Sequence, residues 1–295
     1  MKSLTSIRTL GRADLERLID EADELRRSLD AGNRIARALN GLCMANLFFE
    51  PSTRTRLSFD LAAQRLGAHV LTFLPETSSA TKGESLQDTA LTVSSIGADI
   101  LVVRHGEEGA PQAVAEWTGL PVVNAGDGAG EHPTQALLDA LTLRRHFGRL
   151  DGLRMAIVGD ITHSRVAGSL LYALPTVGVD VTLVGPERWL PADAPVTTSA
   201  DLDVILDDVD VVYLLRVQKE RGGVIDDEYL ARFAFDGGRA SRLRDDAVVM
   251  HPGPINRGIE ISHEVAESPR SLITEQVRNG VPTRMAVLRA LAVSR

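Results

Sequence analysis

One cysteine, Cys43, is all the thiol chemistry available to this chain, which excludes a disulfide framework and a thiolate cluster for a metal. It lies in an apolar run at 42–49 and is expected to be core packing in a reducing cytoplasm. No apolar run approaches the roughly 20 residues needed to span a bilayer, and nothing near the N-terminus has the core of a signal peptide. A membrane is not an expected partner. Net positive charge is lacking too, and a formal charge of −8 disfavours non-specific nucleic-acid binding, although a local arginine cluster can still hold a positive potential inside a cleft. Repeats, low-complexity tracts and long linkers are also missing. What is present, 295 residues of which 44% are hydrophobic and 24% charged, is ordinary for a soluble enzyme of two packed domains.

The most informative stretch runs Phe48-Phe-Glu-Pro-Ser-Thr-Arg-Thr-Arg-Leu-Ser-Phe59. Residues 42–49 read as a buried parallel strand; Leu57, Leu61 and Leu66, with Ala62 and Ala63, then recur at helical spacing. Residues 52–55 should therefore open a helix. There the backbone N–H groups are unpaired and the dipole favours negative charge, Ser52, Thr53 and Thr55 add hydroxyl donors, and Arg54 offers a two-pronged fork. The expected ligand is a phosphate. The plainer alternative, a Ser52 cap beside solvated arginines, fits less well with two hydroxyl–arginine pairs in five residues.

Around this junction strands alternate with helices. Leu15, Leu18, Ile19, Ala22, Leu25 and Leu29 form one face of an N-terminal amphipathic helix. Strands are expected at 69–73, 99–103 and 121–123, with an irregular polar loop at 75–83, a helix from Glu84, and a flexible glycine-rich stretch at 124–130. A long helix at 133–147 ends in basic residues and Gly148, a common helix stop. A second alternation has strands from Leu153, near 179–184, at 210–215 and at 247–250, and a last amphipathic helix covers 281–293. The fold class is α/β, two doubly wound parallel-sheet domains linked by two interdomain helices, with ligands gathered at the carboxyl ends of the strands.

Several polar groups fall at such ends. Arg104 follows the strand 99–103; His132, before Pro133 at a helix start, should be a neutral imidazole able to polarise a carbonyl. Gly159 is followed by Asp160 and Ile161, so the Gly-x-Gly-x-x-Gly dinucleotide fingerprint is missing. Arg216 and Gln218 follow the strand 210–215 and could be a plain charged surface loop. His251-Pro-Gly-Pro254 makes a rigid turn, while Ser78 and Lys82 sit in a loop whose small residues and Gly83 suit a mobile lid.

Taken in order, Ser52-Thr-Arg-Thr-Arg56, Arg104, His132-Pro-Thr-Gln135, Arg165, Arg216-x-Gln218-x-Glu220-Arg221 and His251-Pro-Gly-Pro254 resemble the aspartate/ornithine carbamoyltransferase family, in its aspartate-specific branch. The resemblance implies a carbamoyl-phosphate-binding domain at 1–132, with 281–295 packing back on it, an interdomain helix at 133–148, and an aspartate-binding domain at 149–280. It implies transfer of the carbamoyl group of carbamoyl phosphate to the amine of L-aspartate, an early step of pyrimidine synthesis, with no cofactor and no metal. Ser52, Thr53, Arg54 and Lys82 would hold the phosphate; Thr55, Arg104 and His132 would stabilise charge on the carbamoyl oxygen. Gln135, with the backbone of Gly253 and Pro254, would take the amino groups. Arg165 would bind the α-carboxylate of aspartate, Arg216 and Gln218 its second carboxylate, and domain closure would join the two sites. Ser78 and Lys82 would enter a neighbouring subunit's site, which implies a homotrimer with shared active sites; regulatory chains or a dihydroorotase are further partners the family allows. Many members carry a bulkier residue at the place of Gly253. The alternatives are a carbamoyltransferase for ornithine, whose Ser-Met-Gly and His-Cys-Leu-Pro segments are missing here, and a catalytically silent regulatory or phosphate-sensing homologue.

Overall fold

The computed structural model describes residues 1–218 and 225–293. The chain divides into two compact units, Met1–Leu141 with Arg278–Arg295, and Thr142–Val277. Each is built on a parallel sheet flanked by helices.

In the first unit β1 (Cys43–Phe48), β2 (His69–Phe73), β3 (Ile100–His105) and β4 (Val122–Asp127) pair in the order β2-β1-β3-β4. The pairing is parallel throughout. Central β1 is apolar apart from buried Asn46 because both its faces are covered, and Ala45 and Leu47 pack with Leu101, Val103, Val114 and Val122. Around the sheet lie α1 (Arg12–Asp30), α2 (Thr53–Arg65), α3 (Leu86–Ile96) and α4 (Ala110–Thr118). α1 buries Leu15, Leu18, Ile19, Ala22 and Leu25, a three-and-four spacing that makes one stripe. α5 (Pro133–Phe147) then carries the chain across the boundary between the units.

The second unit orders β5 (Arg154–Val158), β6 (Asp180–Val184), β7 (Thr197–Ser199), β8 (Val211–Leu214) and β9 (Val248–Met250) as β7-β6-β5-β8-β9, again all parallel. Its helices are α6 (Arg165–Thr176) and the short α7 (Asp227–Phe233), α8 (Gly237–Arg242) and α9 (His263–Ala266). Trp189, Tyr229, Phe233 and Phe235 pack with Val158, Val212 and Leu214 in its core. Finally α10 (Ile273–Ala292) returns the chain to the first unit. Among the described residues no helix is long and apolar enough to cross a membrane.

Several local expectations need correction. Of the residues that recur at helical spacing in α2, Ala62 and Ala63 are buried together with Thr55 and Phe59, whereas Leu57 and Leu61 are exposed. The choice follows size: the face holding Phe59 buries a whole aromatic ring, worth roughly 1.5–3 kcal/mol, and 57 and 61 project away from it. Cys43 is only half-buried at the start of β1, and burial, seconded by Asp99, pushes its thiol pKa up. The loop 75–83 is not irregular. It forms two short 3-10 turns, Pro75–Thr77 and Ser79–Lys82, closed by Gly83 in the left-handed region. α10 starts at Ile273 rather than 281, and α4, β7 and α7 to α9 are elements that periodicity did not single out.

Candidate active site

The phosphate cradle is formed as a helix N-terminus. Ser52 stands at the N-cap of α2 in extended conformation, yet its side chain makes no capping hydrogen bond, so neither its hydroxyl nor the first-turn N–H groups are consumed locally. Thr53 and Arg54 are exposed beside it, and Thr55 is buried. Although Arg54 reaches the surface, surrounding protein strips enough water from its guanidinium to lower its pKa, and among the described residues no carboxylate offsets the loss. An anion would supply that compensation.

Arg104 is not beyond its strand but the penultimate residue of β3, level with Phe48 at the end of β1. Its carbonyl accepts from the Phe49 N–H at 2.9 Å, which fixes the entry to the cradle. The β3–β4 register slips here: Val103 faces Asn124, and His105 faces Asp127. Such a bulge re-aims the intervening side chain. Arg104 donates to the Ala125 carbonyl at 3.3 Å, and Glu50 Oε2 lies 3.6 Å from its Nε.

The stretch 124–130, expected to be flexible, is held by a buried network, so that expectation is corrected. Asn124 donates to Asp127 Oδ1 at 2.8 Å and accepts from the Gly126 N–H at 2.7 Å. Asp127 also accepts from the N–H groups of Gly109 at 2.7 Å and Glu131 at 2.9 Å. Glu131 in turn accepts from Ser6 Oγ at 2.5 Å and the Ile7 N–H at 2.7 Å. The outcome is a fixed position for His132, which is buried with Nε2 3.4 Å from Thr55 Oγ1. Two segments far apart in sequence thus meet at the mouth of α2. One turn into α5, buried Gln135 donates from Nε2 to Asp139 Oδ1 at 3.0 Å.

In the second unit Arg165 opens α6, largely buried, with Ser164 capping that helix by accepting from the Ala167 N–H. Arg216 Nη2 donates to Gln218 Oε1 at 2.8 Å, and the Gln218 N–H donates to Asp160 Oδ2 at 3.0 Å. Asp160, fully buried, also meets His163 Nδ1 at 2.7 Å. Glu220 and Arg221 lie outside the described residues. After β9, buried His251 accepts from the Gly253 N–H at Nδ1, 2.8 Å, which leaves Nε2 to donate to Glu260 Oε1 at 3.1 Å. Gly253 has φ +65°, a conformation that glycine adopts without steric cost. Ser78 caps the second 3-10 turn and Lys82 is exposed at its end.

Sequence reading passed over Asp160, Asp127, Asn124, Asp139 and Glu50, all of which act on other protein groups. Asp160 alone had a signal, its place directly after a strand and a glycine.

Comparison with known proteins agrees with this layout. Residues 2–145 match the model of the aspartate/ornithine carbamoyltransferase carbamoyl-P binding domain, and residues 151–291 match the Asp/Orn binding domain. An aspartate carbamoyltransferase catalytic subunit of Salinispora arenicola is 54% identical over 287 residues, covering 92% of each chain. One from a Nocardioides species is 52% identical over 301 residues, covering 97% of this chain and 93% of the relative. An aspartate transcarbamoylase from Trypanosoma cruzi, solved with carbamoyl aspartate and phosphate, superposes with a TM-score of 0.90 at 37% identity over 98% of this chain and 95% of its own. The same enzyme has been solved with carbamoyl phosphate and aspartate. The chain belongs to the aspartate/ornithine carbamoyltransferase family.

Proposed function

We propose that the chain transfers the carbamoyl group of carbamoyl phosphate to the amine of L-aspartate, giving N-carbamoyl-L-aspartate and phosphate, at the start of pyrimidine synthesis in the cytoplasm. The observation that carries this reading is the approach of Thr55 to His132, 3.4 Å apart beside an uncapped helix N-terminus, with Arg104 at the carboxyl end of the strand next to β1. In acyl transfer to an amine, negative charge grows on the carbonyl oxygen. Preorganised donors aimed there are the largest source of rate, and Thr55, Arg104 and His132 fill that role. Ser52, Thr53 and Arg54 hold the phosphate that departs with its charge. Gln135 and the backbone of Gly253 and Pro254 orient the amino groups. Arg165 takes the α-carboxylate, and Arg216, steadied by Gln218, takes the second carboxylate as a planar fork.

Ser78 and Lys82 serve the site of a neighbouring copy in a homotrimer, Lys82 touching both phosphate and aspartate; regulatory chains or a dihydroorotase could join that assembly. The deciding experiment is product formation from carbamoyl phosphate with L-aspartate against L-ornithine. Aspartate should win by orders of magnitude, because two arginines await two carboxylates. Equal rates would sink the reading, and no product with either amine would favour a silent homologue.

A further inference from the structure

We propose that Arg284 is a positioning residue for carbamoyl phosphate: acting on Asp139, it fixes which end of the Gln135 side-chain amide faces the substrate. The inference rests on the proposed place of Gln135 beside the carbamoyl amino group.

Arg284 lies inside α10 and is only 3% exposed. A guanidinium so far from water needs compensation. Burial pushes its pKa down to about 9 and the charge of Asp139 opposes the fall, so the group is still a cation at neutral pH. Asp139 is fully buried on α5, one turn beyond Gln135 and on the same face. A neighbouring cation favours the ionised carboxylate. An ionised carboxylate only accepts hydrogen bonds, so the Gln135 group 3.0 Å from Asp139 Oδ1 must be the NH2 end. Oε1 is thereby left as the end available to a ligand.

That orientation selects chemistry. An amide oxygen accepts from the NH2 of a carbamoyl group, whereas a flipped amide would set donor against donor. An acyl phosphate with a methyl group in place of NH2 would gain nothing from Oε1. The discrimination between carbamoyl and acetyl phosphate therefore depends on a charge that touches neither.

Two further contacts show that the charge is built in. The guanidinium carbon stands 5.0 Å from the centroid of the Phe59 ring, on α2, whose first turn is the cradle. A Cβ at position 280 would stand 2.6 Å from Arg284 Nη1 and 3.8 Å from Leu138 Cδ2, next to Asp139 on α5. Glycine inside a helix is destabilising relative to alanine, and here the space it leaves is filled by the guanidinium.

The test measures binding of carbamoyl phosphate, acetyl phosphate and inorganic phosphate to the intact protein and to Arg284→Met. The wild type should prefer carbamoyl over acetyl phosphate. In Arg284→Met that ratio should fall about tenfold, the loss of one well-placed hydrogen bond, with inorganic phosphate affinity within about twofold of wild type. Arg284→Lys, which keeps the charge, should recover most of the ratio. An unchanged ratio in folded Arg284→Met overturns the proposal, as does a parallel loss of all three ligands, the mark of a merely structural role. Should Arg284→Met not fold, Asp139→Asn decides instead: its amide can present either end to Gln135, so the ratio should fall, and an unchanged ratio overturns the proposal. A wild type with no preference for carbamoyl phosphate points instead to failure of the proposed place of Gln135.

Discussion

Removing the Asp160 carboxylate should damage use of aspartate while leaving carbamoyl phosphate binding intact. Asp160 is fully buried and accepts from the Gln218 N–H at 3.0 Å and from His163 at 2.7 Å. Gln218 in turn accepts from Arg216, so Asp160→Ala releases the backbone that aims the arginine fork. A hydrogen bond to a charged group is worth about 1.5–3 kcal/mol net, which translates into a fall of about 10- to 100-fold in kcat/KM for aspartate. The Asp160→Asn variant separates this cause from general damage. Its amide oxygen can still accept from the Gln218 N–H, because His163 can move its proton to Nε2 and accept at Nδ1 from the new NH2. A neutral acceptor is roughly half as strong, so the loss should stay within about tenfold. The assay is steady-state kinetics in aspartate, with carbamoyl phosphate binding measured by calorimetry. Asp160→Ala within twofold of wild type, Asp160→Asn as damaged as Asp160→Ala, or an equal loss of carbamoyl phosphate affinity would each refute the argument.

Shared sites make a mixing prediction: Arg54→Ala and Lys82→Ala trimers should each be nearly inactive, but denatured and renatured together at equal amounts they should regain activity at about a quarter of their sites. Hybrid trimers with no gain over either parent would mean that Lys82 acts within its own chain or not at all. Asp203 provides a pH test. The hydrogen bond from Arg239, first, and then the charges of Arg239 and Arg242 hold its carboxyl below its ordinary value of 3.8, against partial desolvation. The unfolded chain therefore binds the proton more readily, and the stability is full above the ordinary value and lost as pH falls through the lowered one. Asp203→Asn should lower the melting temperature at neutral pH, with a gap to wild type that closes on acidification. A gap independent of pH would contradict the ion pair.

What was legible without coordinates was whatever depends on local order. The cradle could be read because a strand, a turn and a helix start are contiguous, and their chemistry is fixed by backbone dipoles and neighbouring side chains. Helix α5 was readable to both ends because Pro133 and Gly148 punctuate it, and the parallel α/β class followed from the alternation of elements. Burial within a helix was less legible: Leu57 and Leu61 recur at helical spacing in α2 yet are exposed, and only the sheet beneath could choose Phe59. The glycine stretch looked flexible because nothing in its composition reveals that Asn124, Asp127 and Glu131 tie it to residues as distant as Ser6. The approach of Thr55 to His132, the slip that aims Arg104, and the charge of Arg284 behind Gln135 were likewise decided only by tertiary structure. Each depends on groups brought together across sheets and helices, where desolvation and hydrogen-bond partners assign a side chain its role, and neither can be read along a chain.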